Sequence, residues 1–129
     1  MKPPIIISVQ PPDYLFISDD PEESNRLVIL IANNTNKEIK PNVTVEFPEG
    51  VNYYFSGKLI KSEKFTIEEY RKVYGKDFTI RPKAKRKIVL VPVYREELID
   101  KEEGLGVDMN AVIKVDAEKT SFSKEVRII

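Results

Sequence analysis

The segment from Asn25 to Gly50 constrains the fold of this chain more than any other part of it. Leu27 to Ala32 is apolar at every position, which predicts a central strand that is covered on both faces. Asn33 to Lys37 is rich in turn residues, because asparagine tolerates left-handed backbone and hydrogen-bonds its own turn. Apolar and polar residues then alternate from Val43 to Phe47, before Pro48 to Gly50 ends the strand. This order of strand, turn and strand predicts the centre of a β-sandwich.

The same patterns predict further short strands along the rest of the chain. They are Ile5–Val9, Tyr14–Ile17, Val51–Phe55, Asp77–Ile80, Lys87–Tyr94, Met109–Val115 and Thr120–Ile128, with a charged loop or helical turn at Arg95–Gly106. Prolines bracket the first strand, which predicts an edge position. Most connections are too short for parallel crossovers. The predicted fold is therefore all-β: an immunoglobulin-like sandwich of two antiparallel sheets with seven to eight strands and one short inserted helix. Residues 1–129 are expected to form a single domain.

The segment from Phe65 to Gly75 departs from the β pattern and predicts that helix. Thr66 and Glu69 have the spacing of a capping box, with Thr66 as the N-cap. Phe65 and Tyr70 are spaced for a hydrophobic staple, and Gly75 is suited to end the helix. We expect a short amphipathic helix over residues 66–74 that covers an open end of the sandwich.

Composition excludes several classes of protein. The 129 residues are 41% apolar and 33% charged, which is typical of a globular chain, and they include no Cys, His or Trp. Disulfides, thiolate metal ligands and a Ser-His-Asp triad are therefore impossible within the chain, and no cofactor is expected. Lys plus Arg equals Asp plus Glu at 21 each, which argues against a nucleic-acid partner. No apolar run is long enough to span a membrane.

Two compositional expectations concern the setting of the protein. High Lys, Glu and Ile without Cys is typical of an archaeal or thermophilic protein. The short apolar run after Met1 is unlike a signal peptide. We expect a cytoplasmic protein if the chain is complete, and a cell-surface protein if it is a domain of a longer exported chain.

Three segments carry a resemblance to a known group of modules. Ile31 to Asn33, Val43 to Gly50 and Ile80 to Val93 resemble the immunoglobulin-like modules of the cell-adhesion-related CARDB group and the NPCBM-associated domains. The chain departs from that pattern at Lys83 or Ala84, where the group has glycine, and in the longer segment 56–75. The resemblance implies a spacer, adhesion or substrate-docking module without catalytic residues.

The departures from the group pattern contain the candidate partner-binding residues. The helix could present Tyr70, Arg71 and Tyr74, although its plainer role is to cover the core. The basic turn could bind phosphate or an acidic partner, although charged turns are usually only solvated. Its candidate residues are Arg81, Lys83, Lys85 and Arg86, with Lys87 beside them. Insertions on a rigid scaffold often carry specificity.

Other candidate sites have weaker patterns. Two acidic clusters could ligate calcium, although neither has EF-hand spacing; they are Asp19, Asp20, Glu22, Glu23 and Asp100, Glu102, Glu103, Asp108. Of the aromatic row Tyr53 to Phe55, we expect Tyr53 and Phe55 in the core and Tyr54 half-exposed, rather than an exposed pair that stacks on a sugar. Asn33 and Asn42 begin glycosylation sequons that matter only in an exported chain.

These observations favour a non-enzymatic protein-interaction or assembly module whose partner is another protein or a second copy of the chain. Acidic and basic loops on a neutral chain make head-to-tail self-association an open alternative. The second hypothesis is a carbohydrate- or calcium-binding accessory domain of a surface protein. A hydrolase that uses carboxylates alone is a third and disfavoured hypothesis.

Overall fold

The computed structural model describes residues 3–95 and 109–129 of the chain. The described residues form two five-stranded sheets and one helix. The elements are β1 (Ile5–Gln10), β2 (Tyr14–Leu15), β3 (Leu27–Asn33), β4 (Asn42–Glu46), β5 (Val51–Phe55), β6 (Lys58–Ile60), β7 (Lys64–Thr66), α1 (Ile67–Tyr74), β8 (Lys85–Tyr94), β9 (Asn110–Ala117) and β10 (Thr120–Ile128). None of the described helical residues forms a span long and apolar enough to cross a bilayer.

The strand order has the immunoglobulin arrangement. One sheet runs β1-β3-β8-β5-β6 and the other β2-β10-β9-β4-β7. Without the short strands β2, β6 and β7, the seven that remain follow the A-B-E-D and G-F-C orders of an immunoglobulin sandwich. The predicted all-β sandwich with one short helix is confirmed. The described chain has ten strands rather than seven to eight, because the three short strands extend sheet edges.

The sheets are mainly antiparallel, as predicted, but one predicted strand is wrong. Among the described strand pairs only β2 and β10 run in parallel, with Leu15 opposite Ile128. The predicted strand Asp77–Ile80 reduces to one isolated bridge between Ile80 and Ile39. Phe78 is buried just before that bridge, so its apolar pattern reflects a loop that packs on the core rather than a strand.

β3 lies between β1 and β8, but only one of its faces is covered. Leu27, Ile29 and Ile31 are fully buried between the sheets, whereas Val28 and Leu30 are only partly buried. The all-apolar run predicted a strand covered on both faces. That prediction is wrong, because the described part of the chain forms two layers and leaves the outer face of this sheet open to solvent.

The helix has the predicted position, but its first turn lacks the predicted side-chain cap. α1 begins at Ile67 after Thr66, whose backbone is extended and whose side chain makes no capping hydrogen bond, so the predicted capping box does not form at Thr66. Gly75 ends the helix in the left-handed region with φ of 68°, as predicted, and its N–H donates to the Arg71 carbonyl. The helix continues from edge strand β7 and closes the sandwich between β7 and the end of β5.

Candidate functional site

A cluster of aromatic rings fills the side of the sandwich beneath α1. Tyr70, the buried residue of the helix, lies 5.0 Å from Phe78 and 4.6 Å from Tyr74, measured between ring centroids. Phe55 at the end of β5 contacts Phe65, Tyr70 and Tyr74, with centroids 5.1, 6.4 and 6.1 Å away. Phe65 and Tyr70, the predicted staple pair, therefore both pack on Phe55. The helix is attached to the core through these rings.

Arg86 extends this aromatic cluster into a polar wall. It occupies the core-facing row of β8, two residues before buried Ile88, at the end of the strand. Its guanidinium lies 4.9 Å from the centroid of Phe78 and 5.6 Å from that of Tyr70. It donates hydrogen bonds to the Tyr70 hydroxyl at 2.8 Å and to the Thr79 carbonyl at 3.1 Å. Stacking on aromatic rings and a fixed fork of donors hold this side chain in one position.

The α1–β8 groove consists of two adjoining hollows that share Lys76 and Arg86. The first has a volume of about 270 Å³ and the second about 380 Å³. The first is lined by Lys76, Asp77, Thr79, Arg81, Ala84 and Arg86, and the second by Phe55, Ser56, Tyr70, Tyr74, Lys76, Arg86, Lys87, Ile88 and Val89. The groove is therefore basic along one part and aromatic along the other.

The basic side chains around the groove have no acidic partner among residues 3–95 and 109–129. Every ion pair found there involves other cations, such as Arg71 with Asp77 and Lys40 with Asp77. Six cations near the groove form no ion pair with another described residue: Lys76, Arg81, Lys83, Lys85, Arg86 and Lys87. A neutral chain thus has a local excess of positive charge at this end of β8.

Asp77 is the carboxylate on the wall of the groove, and its charge is already compensated. Arg71 donates through Nε to Asp77 at 2.8 Å, and Lys40 donates through Nζ at 3.4 Å. The hydrogen bond from Arg71, then that from Lys40, and the charges of both cations lower the pKa of Asp77 below its ordinary value. Arg71 also pairs with Glu68 on the helix. Asp77 therefore stays ionised and orders the loop after α1.

The structure distributes the seven predicted partner-binding residues among three roles. Arg81 and Arg86 line the groove, and Tyr74 is 48% exposed beside it with its hydroxyl 3.1 Å from the Ser56 hydroxyl. Tyr70 lies in the wall but is only 3% exposed, so it supports the groove and offers little surface to a partner. The last three point elsewhere: Arg71 is paired, Lys83 donates to the Asn34 carbonyl at 2.7 Å, and Lys85 lines neither hollow.

Lys76 is the groove residue that the sequence did not single out. It follows the helix-ending Gly75 and lines both hollows. A basic residue just beyond a helix C-terminus is common, because it complements the helix dipole, so its pattern carries no functional signal of its own. Only the fold brings it beside Arg86.

The other candidate sites are altered by the structure. Tyr53 and Phe55 are buried and Tyr54 is half-buried, as predicted, so no exposed aromatic pair forms there. Among the described residues, no three acidic side chains are positioned to hold a metal ion. Asp100, Glu102, Glu103 and Asp108, the second acidic cluster, lie outside the described residues.

The two predicted sequons differ in accessibility. Asn33 is fully buried, and its amide nitrogen donates to the carbonyls of Lys37, Ile80 and Arg81 at 2.8–3.1 Å. A glycan cannot be attached to a buried amide whose hydrogens are already bonded. Asn42 begins β4 and is exposed.

Comparison with known proteins gives structural likenesses of low sequence identity. No family model and no curated protein matches the chain. It is similar to the alkylpurine DNA glycosylase AlkC of Pseudomonas fluorescens, solved with DNA containing an abasic site analog, at 12% identity and a TM-score of 0.45 over 100% of this chain and 31% of that one. It is also similar to the CooA pilin subunit of enterotoxigenic Escherichia coli, at 11% identity and a TM-score of 0.44 over 98% and 96% of the two chains. The chain spans about a third of the glycosylase chain. Likenesses this distant say nothing about function.

Proposed function

We propose that this chain is a non-enzymatic protein-interaction module that holds an acidic segment of a partner protein in the α1–β8 groove. The observation that carries the proposal is the juxtaposition of cations without an ion pair in the described chain, such as Lys76 and Arg81, with the exposed ring of Tyr74. Carboxylates of a partner would complement the cations, and an apolar or aromatic residue of the partner would pack on Tyr74.

Electrostatics and ring packing would have different tasks in such a contact. Exposed charges contribute mainly to the rate of association and to the choice of partner. Salt at about 0.1 M screens the interaction between exposed charges that are more than about 10 Å apart. Aromatic residues in a partly closed site supply most of the contact energy. Arg86 is already fixed by Tyr70 and Thr79, so less side-chain freedom is lost when it meets a carboxylate.

The resemblance to the CARDB and NPCBM-associated modules supports the same class of function. The strand order agrees with the immunoglobulin arrangement of those modules. The groove lies within segment 55–89, which contains the part of the chain that departs from their pattern. We propose membership in that group, with the inserted helix and basic turn as the element that gives this chain its own partner.

A peptide-binding measurement tests the proposal. The probe is a labelled peptide of alternating Glu and Tyr, and its control is the same peptide with Gln in place of Glu. Fluorescence anisotropy should show binding of the acidic peptide that weakens at least tenfold between about 20 mM and about 300 mM NaCl, because salt screens the charges. The Gln peptide, which keeps the aromatic rings but lacks the charges, should bind at least tenfold more weakly at the lower salt concentration.

A pair of charge-reversal variants locates the binding. The groove variant K76E/R81E should lose binding, whereas K114E/R127E, with the same change in net charge on the exposed face of β9 and β10, should retain it. Equal binding of the acidic and Gln peptides, or equal loss in both variants, would show that the groove is not the site.

A further inference from the structure

The loop from Ser18 to Ser24, here named the acidic loop, is held in a defined conformation. The Ser24 hydroxyl accepts a hydrogen bond from the Ser18 N–H at 2.8 Å and donates to the Ser18 carbonyl at 3.2 Å. The Asp20 carbonyl accepts from the N–H groups of Glu23 and Ser24 at 3.0 and 3.2 Å. These bonds close the loop on itself, so its acidic side chains are presented from a fixed backbone.

All four carboxylates of the acidic loop belong to exposed residues, and none forms an ion pair within the described part of the chain. They are Asp19, Asp20, Glu22 and Glu23. The contacts that they do make are hydrogen bonds within the loop, such as that from the Ser18 hydroxyl to Asp19 at 3.1 Å. Arg26, two residues beyond the loop, is exposed and also forms no ion pair there.

The acidic loop and the α1–β8 groove lie at opposite ends of β8. Ser18 pairs with Val93, and its carbonyl accepts from the Tyr94 N–H at 3.1 Å, both at the C-terminal end of the strand. Arg86 is at the N-terminal end. At about 3.3 Å per residue the two ends are roughly 25 Å apart. The acidic loop therefore cannot reach the groove of its own chain.

We propose that the acidic segment held in the α1–β8 groove is the acidic loop of a second copy of this chain. The inference rests on the proposed function and names its partner. The argument is charge complementarity: the chain is neutral, yet its basic excess and its acidic loop are carried on opposite ends of one rigid strand. Each copy therefore offers the acidic loop at one end of β8 and the basic groove at the other. Lys61 and Arg95 line a hollow with Asp19, so the acidic feature of that end is the loop itself.

The contact limits the kinds of assembly. One loop–groove contact between two copies is heterologous and propagates until a ring closes or an open chain grows, whereas two reciprocal contacts close a two-fold dimer. A two-fold dimer through the groove alone would oppose like charges, since the same basic surface would face itself. Association should therefore bring the loop of one copy against the groove of another, depend on concentration, and be weakened by salt.

A charge-swap experiment on the full chain tests the proposal by sedimentation velocity and sedimentation equilibrium. The loop variant is D20K/E22K, the groove variant is K76E/R81E, and circular dichroism verifies that each is folded. In about 20 mM NaCl the unmodified chain should form species larger than a monomer as its concentration rises, and about 300 mM NaCl should dissociate them. Each variant alone should associate at least tenfold more weakly, because two reversals cancel the charge of the four loop carboxylates or of the four cations that line the groove.

Restoration in a mixture of the two variants is a second test of this contact. An equimolar mixture of the loop and groove variants should associate again, because the unchanged groove of the loop variant meets the unchanged loop of the groove variant. The control K114E/R127E should associate as the unmodified chain does. Assembly that persists in the loop variant, or a mixture that stays monomeric, would overturn the proposal.

The two proposals can fail separately. If the unmodified chain stays monomeric at about 1 mM in low salt while the Glu-Tyr peptide still binds the groove, the self-association proposal is wrong and the groove serves a different protein. If neither the peptide nor a second copy binds, both proposals are wrong.

Discussion

Asn33 is a single side chain that joins two loops at one end of the sandwich. Its amide nitrogen donates to three carbonyls, those of Lys37, Ile80 and Arg81. Its amide oxygen accepts from the Thr35 N–H at 3.0 Å and from the Thr35 hydroxyl at 2.6 Å. The side chain is fully buried and its donors and acceptor are all used, so this polar group is stable in the core. The loop at residues 80–81, which leads into the basic turn, is positioned by this network.

Replacing Asn33 with Leu should destabilise the fold strongly. The carbonyls of Ile80 and Arg81 would keep only their backbone donors, the N–H groups of Ile39 and Ala84, and the Thr35 N–H would lose its acceptor. We expect the free energy of unfolding to fall by about 2–4 kcal/mol. Chemical denaturation monitored by circular dichroism measures this change. Asn36→Ala, at an exposed position in the same turn, should change it by less than about 0.5 kcal/mol. Similar losses in both variants would contradict the assigned role.

Asp77 should make the stability of the loop after α1 depend on pH. Its pKa is lowered by Arg71 and Lys40, so the ionised form is favoured in the folded state and the stabilisation is present above the ordinary carboxyl pKa. It is lost as pH falls through the lowered pKa. Asp77→Asn should lower the melting temperature by a few degrees at pH 7 and make no difference near pH 2.

The control for this pH dependence is Asp13→Asn. Asp13 is exposed, and its side chain forms no ion pair within the described residues. In thermal melts at pH 7, Asp77→Asn should have a lower melting temperature than the unmodified chain, and Asp13→Asn should not. A difference between Asp77→Asn and the unmodified chain that grows as pH falls would contradict the assigned sign.

The two ends of α1 should respond differently to substitution. Thr66→Ala should cost less than about 0.5 kcal/mol, below the usual cost of about 1 kcal/mol for losing an N-cap, because the Thr66 side chain makes no capping hydrogen bond. Gly75→Ala should cost about 1 kcal/mol, because φ of 68° strains a residue with a Cβ even though no atom lies within 4 Å of it. Urea denaturation measures both changes, and a costlier Thr66→Ala would show that the threonine caps the helix in solution.

At the level of elements, local patterns predicted the helix better than its capping. The apolar spacing and Gly75 correctly placed the helix over residues 67–74, because both depend on local backbone geometry. Thr66 occupies the predicted N-cap position with the extended backbone usual for an N-cap, but the capping box was wrong because its side chain makes no capping hydrogen bond. Thr66 is also the last residue of β7, paired with Thr44, and a local motif contains no information on that long-range partner.

Burial of Tyr53 should make the free energy of unfolding fall as the pH rises in alkaline solution. Burial, and then the charge of Glu69, raise the pKa of this hydroxyl, which donates to the Lys64 carbonyl at 3.1 Å. The folded state therefore favours the neutral form, and its stabilisation is present below the unfolded pKa of about 10 and lost as pH rises beyond it. Denaturation above about pH 10 should be less pH-dependent in Tyr53→Phe than in the unmodified chain, while Tyr54→Phe, at a half-buried position, should behave as the unmodified chain does.

The thermophilic origin of the chain stays a prediction at the scale of the whole molecule. Its composition leads us to expect a melting temperature above about 65 °C, the upper part of the range for domains from mesophiles. Differential scanning calorimetry checks this, and a midpoint near 50 °C would contradict it.

The sequence by itself determined the class of fold and the inward faces of the strands whose residues alternate. Alternation in Val43–Phe47 and Met109–Val115 reports which side chains avoid water, and that preference is local and nearly independent of strand order. Only the tertiary structure decided which strands are neighbours and how the candidate residues divide. Arg71 pairs with Asp77, Lys83 donates to the Asn34 carbonyl, and Arg86 packs on the rings of Tyr70 and Phe78. Each contact depends on how the helix end, the turns and β8 are placed relative to one another. A charge pattern in the sequence does not contain that information.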